Sequence, residues 1–95
     1  MSSENEKAKK QPTEEELSRQ TTKWLAKLEE DLKNVKNTGR LSDKQFKEVM
    51  ENIKAYISDC RYFSNEGDLV NAFEAIIYAW GIYETCLRTG LIAKK

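Results

Sequence analysis

The sequence of 95 residues contains no histidine. Histidine is the commonest general base and metal ligand of proteins, so its absence excludes a Ser-His-Asp or Cys-His catalytic centre. The two cysteines, Cys60 and Cys86, lack the paired spacing of a zinc site. We therefore expect no enzymatic activity, no catalytic residues, no metal site and no cofactor, and we expect both cysteines to be free, buried thiols.

The chain also lacks an excess of charge and a long apolar run. Its 16 basic residues balance 16 acidic ones, so it has no long-range field that would attract nucleic acid or an anionic membrane. The most apolar stretch, residues 75–83, is less than half of the ~20 residues that a membrane helix needs. The polar N-terminus has no apolar core of a signal peptide. These features predict a cytoplasmic protein with no membrane segment and no strong nucleic-acid signal.

Apolar residues recur at intervals of three and four along most of the chain, which predicts helices within a single domain. The first helix is predicted at about 13–37, the second at 42–64 and the third at 68–89. Ser42 and Gln45 form a capping box before the second helix, Asp68 caps the third, and Gly90 follows the third helix as its C-terminal stop signal. The polar residues 1–12 are predicted to be a disordered tail, and 13–92 the domain.

Short connections favour antiparallel packing of successive helices, so the predicted fold is an all-α, up-down-up three-helix bundle. Turning the chain back at the second connection places Tyr56 level with Ile77, and Ile53 level with Trp80. The same reasoning at the first connection places Trp24 level with Tyr56. Large apolar side chains then meet in every layer, which supports the bundle independently of the helix caps.

The third helix is apolar around roughly 200° of its circumference, more than an ordinary surface helix. It is either the central helix, in contact with both others, or a helix with one apolar edge left exposed for a partner. An exposed edge would consist of either Ala75 and Ile82 or Val70 and Ile77. A line of small residues would let another helix approach closely, and it consists of Ala72, Ala79 and Cys86.

A narrow polar stripe runs along the same helix, and its candidate contact residues are Glu74, Tyr78, Gly81 and Arg88. Glycine costs a helix about 1 kcal/mol relative to alanine, so a contact at Gly81 is one explanation for its presence. The alternative is a solvated face that tolerates one glycine.

The segment from residue 62 onward carries a recognisable series of short motifs: Tyr62-Phe63, Gly67-Asp68, Ala72-Phe73-Glu74-Ala75, Tyr78-Ala79-Trp80-Gly81, Leu87-Arg88 and Gly90-Leu91. Because of these motifs, the chain resembles the short archaeal proteins grouped as domain of unknown function 357. The similarity covers residues 13–92. The resemblance implies a cytoplasmic archaeal protein with three helices, and it implies no activity and no functional residues.

The Gly-Asp turn and the alanine-rich helix after it are also loosely similar to the helical HEPN-type domains. Ribonucleases of that group use an arginine and a histidine, so this chain is expected to lack their activity.

Two functional hypotheses follow from the sequence. The first is a non-enzymatic protein-interaction module that acts through the third helix, either in a homodimer or with a different protein. The second is a ligand- or RNA-binding accessory module that uses Glu74, Tyr78, Arg88 and Arg61.

Overall fold

A computed structural model describes residues 2–95, and the side chains from residue 13 onward. Three helices and two short strands follow one another along the chain: α1 (Ser2–Leu32), β1 (Val35–Asn37), α2 (Asp43–Asn65), α3 (Leu69–Arg88) and β2 (Ile92–Lys94). The predicted all-α class is confirmed, since the strands form only a small two-stranded sheet beside the helices.

The starts of α2 and α3 lie where the capping residues predict them. The Ser42 hydroxyl accepts a hydrogen bond from the backbone N–H of Gln45, whose side chain accepts one from the backbone N–H of Ser42. The Asp68 carboxylate accepts a hydrogen bond from the backbone N–H of Asn71. These side chains satisfy N–H groups that have no partner within the first helical turn.

The predicted end of the first helix at about residue 37 is wrong. α1 ends at Leu32, and Val35–Asn37 form a strand that pairs antiparallel with Ile92–Lys94. Both strands have three residues, too few to show the alternation by which a strand is found in a sequence. Val35 and Ile92 are buried. The pairing therefore adds apolar side chains to the core and provides hydrogen-bond partners for the backbone N–H and C=O groups of both strands.

α1 begins at Ser2, within the segment 1–12 that was predicted to be a disordered tail. The side chains of residues 1–12 lie outside the described part of the chain, so the tail stays a prediction.

The helices run up, down and up, as predicted. The ring of Tyr56 on α2 stacks on that of Tyr78 on α3, with ring centroids 5.4 Å apart, so these two helices are antiparallel about the turn at Gly67. α1 runs parallel to α3, because Leu17 lies beside Phe73 and the ring of Trp24 contacts the ring of Trp80 further along both helices. The contact of Tyr56 differs by one residue from the predicted contact with Ile77.

The predicted register of α1 is wrong. Trp24 was expected level with Tyr56, which places Glu29 about ten residues from Arg61 along the antiparallel α2. Instead Glu29 forms an ion pair with Arg61, and Trp24 packs against Trp80 of α3 with ring centroids 5.5 Å apart. The indole N–H of Trp80 also donates a hydrogen bond to the backbone carbonyl of Trp24. The reason is that residues 33–42 contain a strand and loops, so no tight turn fixes α1 against α2.

α3 is the central helix, and it packs against both α1 and α2. Its buried residues join those of α2, α1 and the sheet in one core, whose largest fully buried members are Tyr83, Leu28, Ile53, Ile76, Ile92 and Cys60. Cys60 and Cys86 are both free and buried, and burial raises the pKa of each thiol. Within residues 2–95, no helix has the length and apolarity that spanning a membrane requires.

Candidate interaction surface on the third helix

The outer surface of α3 exposes large apolar side chains beside one another. Val70 is 68% exposed, Ile77 46% and Tyr78 60%. Val70 and Ile77 are seven residues apart, close to two helical turns, so both lie on the side of the helix opposite the core. Tyr78 follows Ile77 and is turned about 100° from it, toward α2. An open groove of about 520 Å³ follows this surface, and its lining consists of Glu74, Ile77, Tyr78, Gly81, Ile82, Thr85 and Cys86. We call Val70 and the groove residues other than the buried Cys86 the outer face of α3.

Of the two apolar edges proposed from the sequence, the structure exposes the one formed by Val70 and Ile77. The expectation of exposure at Ala75 is wrong, because this residue is only 6% exposed and belongs to the core. Ile82 is half-buried and packs against the core with one side while its other side lines the groove.

The line of small residues on α3 serves the packing of the protein itself. Ala72 and Ala79 are 0% exposed and Cys86 is 7% exposed, so this line is not available to a partner helix. Most of the wide apolar arc is thus explained by the central position of α3 between α1 and α2. Of the large apolar side chains on α3, Val70, Ile77 and Tyr78 remain exposed.

The polar stripe is exposed, but its members have different surroundings. Glu74, Gly81 and Arg88 are all exposed, and the two charged residues form no ion pair with another described residue. Tyr78 is exposed on one side, while its ring stacks on Tyr56. A Cβ atom built at Gly81 would meet no atom within 4 Å. Packing inside the protein therefore gives no reason for glycine at this position.

Arg61 does not join the other stripe residues. It forms an ion pair with Glu29 of α1, and both line a groove between α1 and α2 together with Leu32 and Ile57. This groove shares no lining residue with the groove on α3. The four residues of the RNA- or ligand-binding hypothesis are therefore not assembled into one site.

Two features were not found from the sequence. Tyr83, which is 1% exposed, has no described group in hydrogen-bond geometry with its hydroxyl. Burial raises the pKa of this hydroxyl, and the nearby negative charge of Asp31 raises it further. Arg40, in the loop after β1, donates a hydrogen bond to the carbonyl oxygen of Thr89 at the end of α3. Neither could be found, since each depends on contact between segments far apart in the sequence.

The described residues include no group of three or more cysteine, aspartate or glutamate side chains that could hold a metal ion. The titratable groups in the lining of the α3 groove are Glu74, Tyr78 and Cys86. The raised pKa of the Cys86 thiol favours its protonated form, which is a poor nucleophile. The outer face of α3 thus offers apolar area beside one carboxylate, that of Glu74, and both are components of a binding surface.

Comparison with known proteins places this fold in a family. The chain is similar to protein AF1782 from Archaeoglobus fulgidus, whose crystal structure is known and which matches the DUF357 family model. The two sequences are 43% identical, the match covers 87% of this chain and 99% of that chain, and the TM-score is 0.74. No curated protein matches the sequence. The family model described as "Protein of unknown function (DUF357)" matches residues 23–92, and this chain therefore belongs to the DUF357 family.

Proposed function

We propose that this protein is a non-enzymatic interaction module that binds a protein partner through the outer face of α3. One observation carries the proposal: Val70, Ile77 and Tyr78 expose apolar surface on one side of one helix, beside an open groove. Single exposed apolar residues are normal on a soluble domain, but several that share a face mark a contact surface.

The groove supports binding rather than catalysis. Its lining combines apolar side chains with a single carboxylate, that of Glu74, and it contains no lysine or arginine. A general acid–base mechanism needs a titratable group whose pKa lies near neutral pH and a second group that converges with it. The thiol of Cys86 does not meet this need, because its pKa is raised above an ordinary value that is already alkaline.

Site-specific photocross-linking tests the proposal. A benzophenone amino acid placed at Ile77 should cross-link a protein when the purified chain is concentrated or mixed with an extract of the source organism. The same amino acid at Ala55, an exposed position on α2, provides the matched control. The products are identified by mass spectrometry. The proposal is wrong if position 77 yields no protein adduct, or yields the same adducts as position 55.

A further inference from the structure

Resting on the proposed function of this surface, we infer that its partner is a second copy of the same chain. The two α3 helices pack antiparallel, outer face against outer face, and the two-fold axis passes beside Gly81. The inference depends on how charge is arranged about this glycine.

Glu74 and Arg88 lie at equal distances on either side of Gly81, seven residues away in each direction. Seven residues are close to two helical turns, so all three residues lie on one line along the helix, with about 10 Å between neighbours. A two-fold axis at Gly81 exchanges the two ends of this line. Glu74 of each copy then lies opposite Arg88 of the other copy, so the dimer gains two ion pairs.

The charges are available for such pairing, because both side chains are exposed and neither is paired with a described residue of its own chain. A different partner would need its own acidic and basic residues at this spacing, whereas a second copy has them necessarily. The zero net charge of the chain also means that two copies do not repel each other at long range.

Gly81 lies where the two helices would be closest. It carries no side chain, and its surroundings are open: apart from its chain neighbours and the backbone of its own helix, no atom lies within 4 Å of a Cβ position. Backbones can approach closely at glycine. A shallow crossing, near the 20° common for packed helices, moves residues that are 10 Å from the axis sideways by only about 4 Å. Glu74 and Arg88 therefore remain within reach of their counterparts.

Such a dimer also covers the exposed side chain of Ile77. Ile77 lies between Glu74 and Gly81, and it lines the groove beside the proposed contact. Antiparallel packing buries this side chain once in each copy, which adds a hydrophobic contribution to the two ion pairs. The interface is isologous, since the same residues contribute from both copies.

A charge-exchange experiment tests the geometry. Sedimentation measures the dimer dissociation constant of Glu74→Arg and Arg88→Glu, alone and in an equimolar mixture. Each variant alone places like charges opposite each other twice, and we expect its dimer to weaken about tenfold or more. In the mixture, one chain supplies arginine at both positions and the other supplies glutamate at both. A heterodimer should therefore form with an affinity near that of the wild type.

Two further variants exclude indirect effects. Glu51→Arg makes the same charge change at an exposed position on α2, and it should leave the dissociation constant within about twofold. Gly81→Leu should prevent dimerisation by filling the closest point of approach. Far-ultraviolet circular dichroism on each variant shows that the monomers remain helical.

Three results would overturn the inference: single charge variants that dimerise like the wild type, a mixture that remains monomeric, or a Gly81→Leu variant that dimerises normally. If the wild type stays monomeric while the probe at Ile77 cross-links a different protein, the inferred homodimer is wrong and the proposed function as an interaction module stands. If the probe cross-links nothing, both are wrong.

Discussion

Truncation of Trp80 should detach α1 from α3. The indole N–H donates a hydrogen bond to the backbone carbonyl oxygen of Trp24, with a donor–acceptor distance of 3.0 Å. The ring also packs edge-to-face with the rings of Trp24 and Tyr83, with centroid separations of 5.5 and 5.6 Å. Loss of the hydrogen bond costs about 1 kcal/mol, and loss of each aromatic pair costs about 0.5–1.5 kcal/mol beyond its buried area. Because Trp80 is half-buried, we expect Trp80→Ala to lower the free energy of unfolding by about 3 kcal/mol.

Urea denaturation followed by circular dichroism at 222 nm measures this change, since a domain of this size is expected to unfold in two states. Asp68→Ala provides a calibration, because it removes a helix cap and should cost about 1 kcal/mol. Trp80→Phe keeps an aromatic ring but lacks the indole donor, and its cost should fall between these two values. A double-mutant cycle with Trp24→Ala, which keeps the backbone carbonyl, isolates the coupling between the two rings, which we expect to be about 0.5–1.5 kcal/mol.

The reasoning is refuted if Trp80→Ala proves milder than Asp68→Ala, or if the cycle finds no coupling between Trp24 and Trp80. Either result would mean that Trp80 does not attach α1 to α3. Its partly exposed ring would then belong to the contact surface of α3 rather than to the core.

The remaining predictions concern the buried Tyr83, its pKa together with those of the two thiols, and the glycines at positions 90 and 81. Tyr83→Phe removes a buried hydroxyl without a described partner and should raise the free energy of unfolding by about 1 kcal/mol; a loss in urea denaturation would show that Asp31 accepts its hydrogen bond. The raised pKa values of Tyr83 and of both thiols mean that the folded state keeps protons that the unfolded state releases. The contribution of these three groups to stability should therefore be complete below the ordinary thiol pKa of 9.0 and be lost as the pH rises above it, so the free energy of unfolding should fall in that range. An increase there would contradict the assigned directions. Gly90 has a φ of 76°, and a Cβ there would lie 3.1 Å from the Arg40 guanidinium, so Gly90→Ala should lower the thermal midpoint at a cost of about 1–2 kcal/mol. Gly81→Ala, in an open helical position, should instead stabilise the monomer by up to about 1 kcal/mol, and equal effects at the two glycines would refute this distinction.

Local signals in the sequence were sufficient for the helices after residue 42. Ser42, Gln45 and Asp68 act on backbone groups within three residues of themselves, so their effect does not depend on the rest of the fold. The tight turn at Gly67 also fixed how α2 and α3 pair, and the contact of Tyr56 with Tyr78 lies one residue from the expected position.

The candidate surface was only partly predictable. Helical periodicity identified α3 as too apolar for an ordinary surface helix, and it gave two possible exposed edges. The choice between them required the positions of α1 and α2, which bury Ala75 and leave Val70 and Ile77 exposed. Periodicity describes angles around one helix, and it does not state from which side the neighbouring helices approach.

The sequence by itself determined the helix-rich class, the starts of α2 and α3, and the up-down-up order, because caps, turns and periodicity act over a few residues. Tertiary structure alone decided that α1 ends at Leu32, that Val35–Asn37 pair with Ile92–Lys94, and that Trp24 meets Trp80. The strand partners are separated in the sequence by 55 residues (Asn37 and Ile92) to 59 residues (Val35 and Lys94). Such pairings depend on the packing of the whole chain, since burial and backbone hydrogen bonds gained there outweigh the local preference to continue a helix.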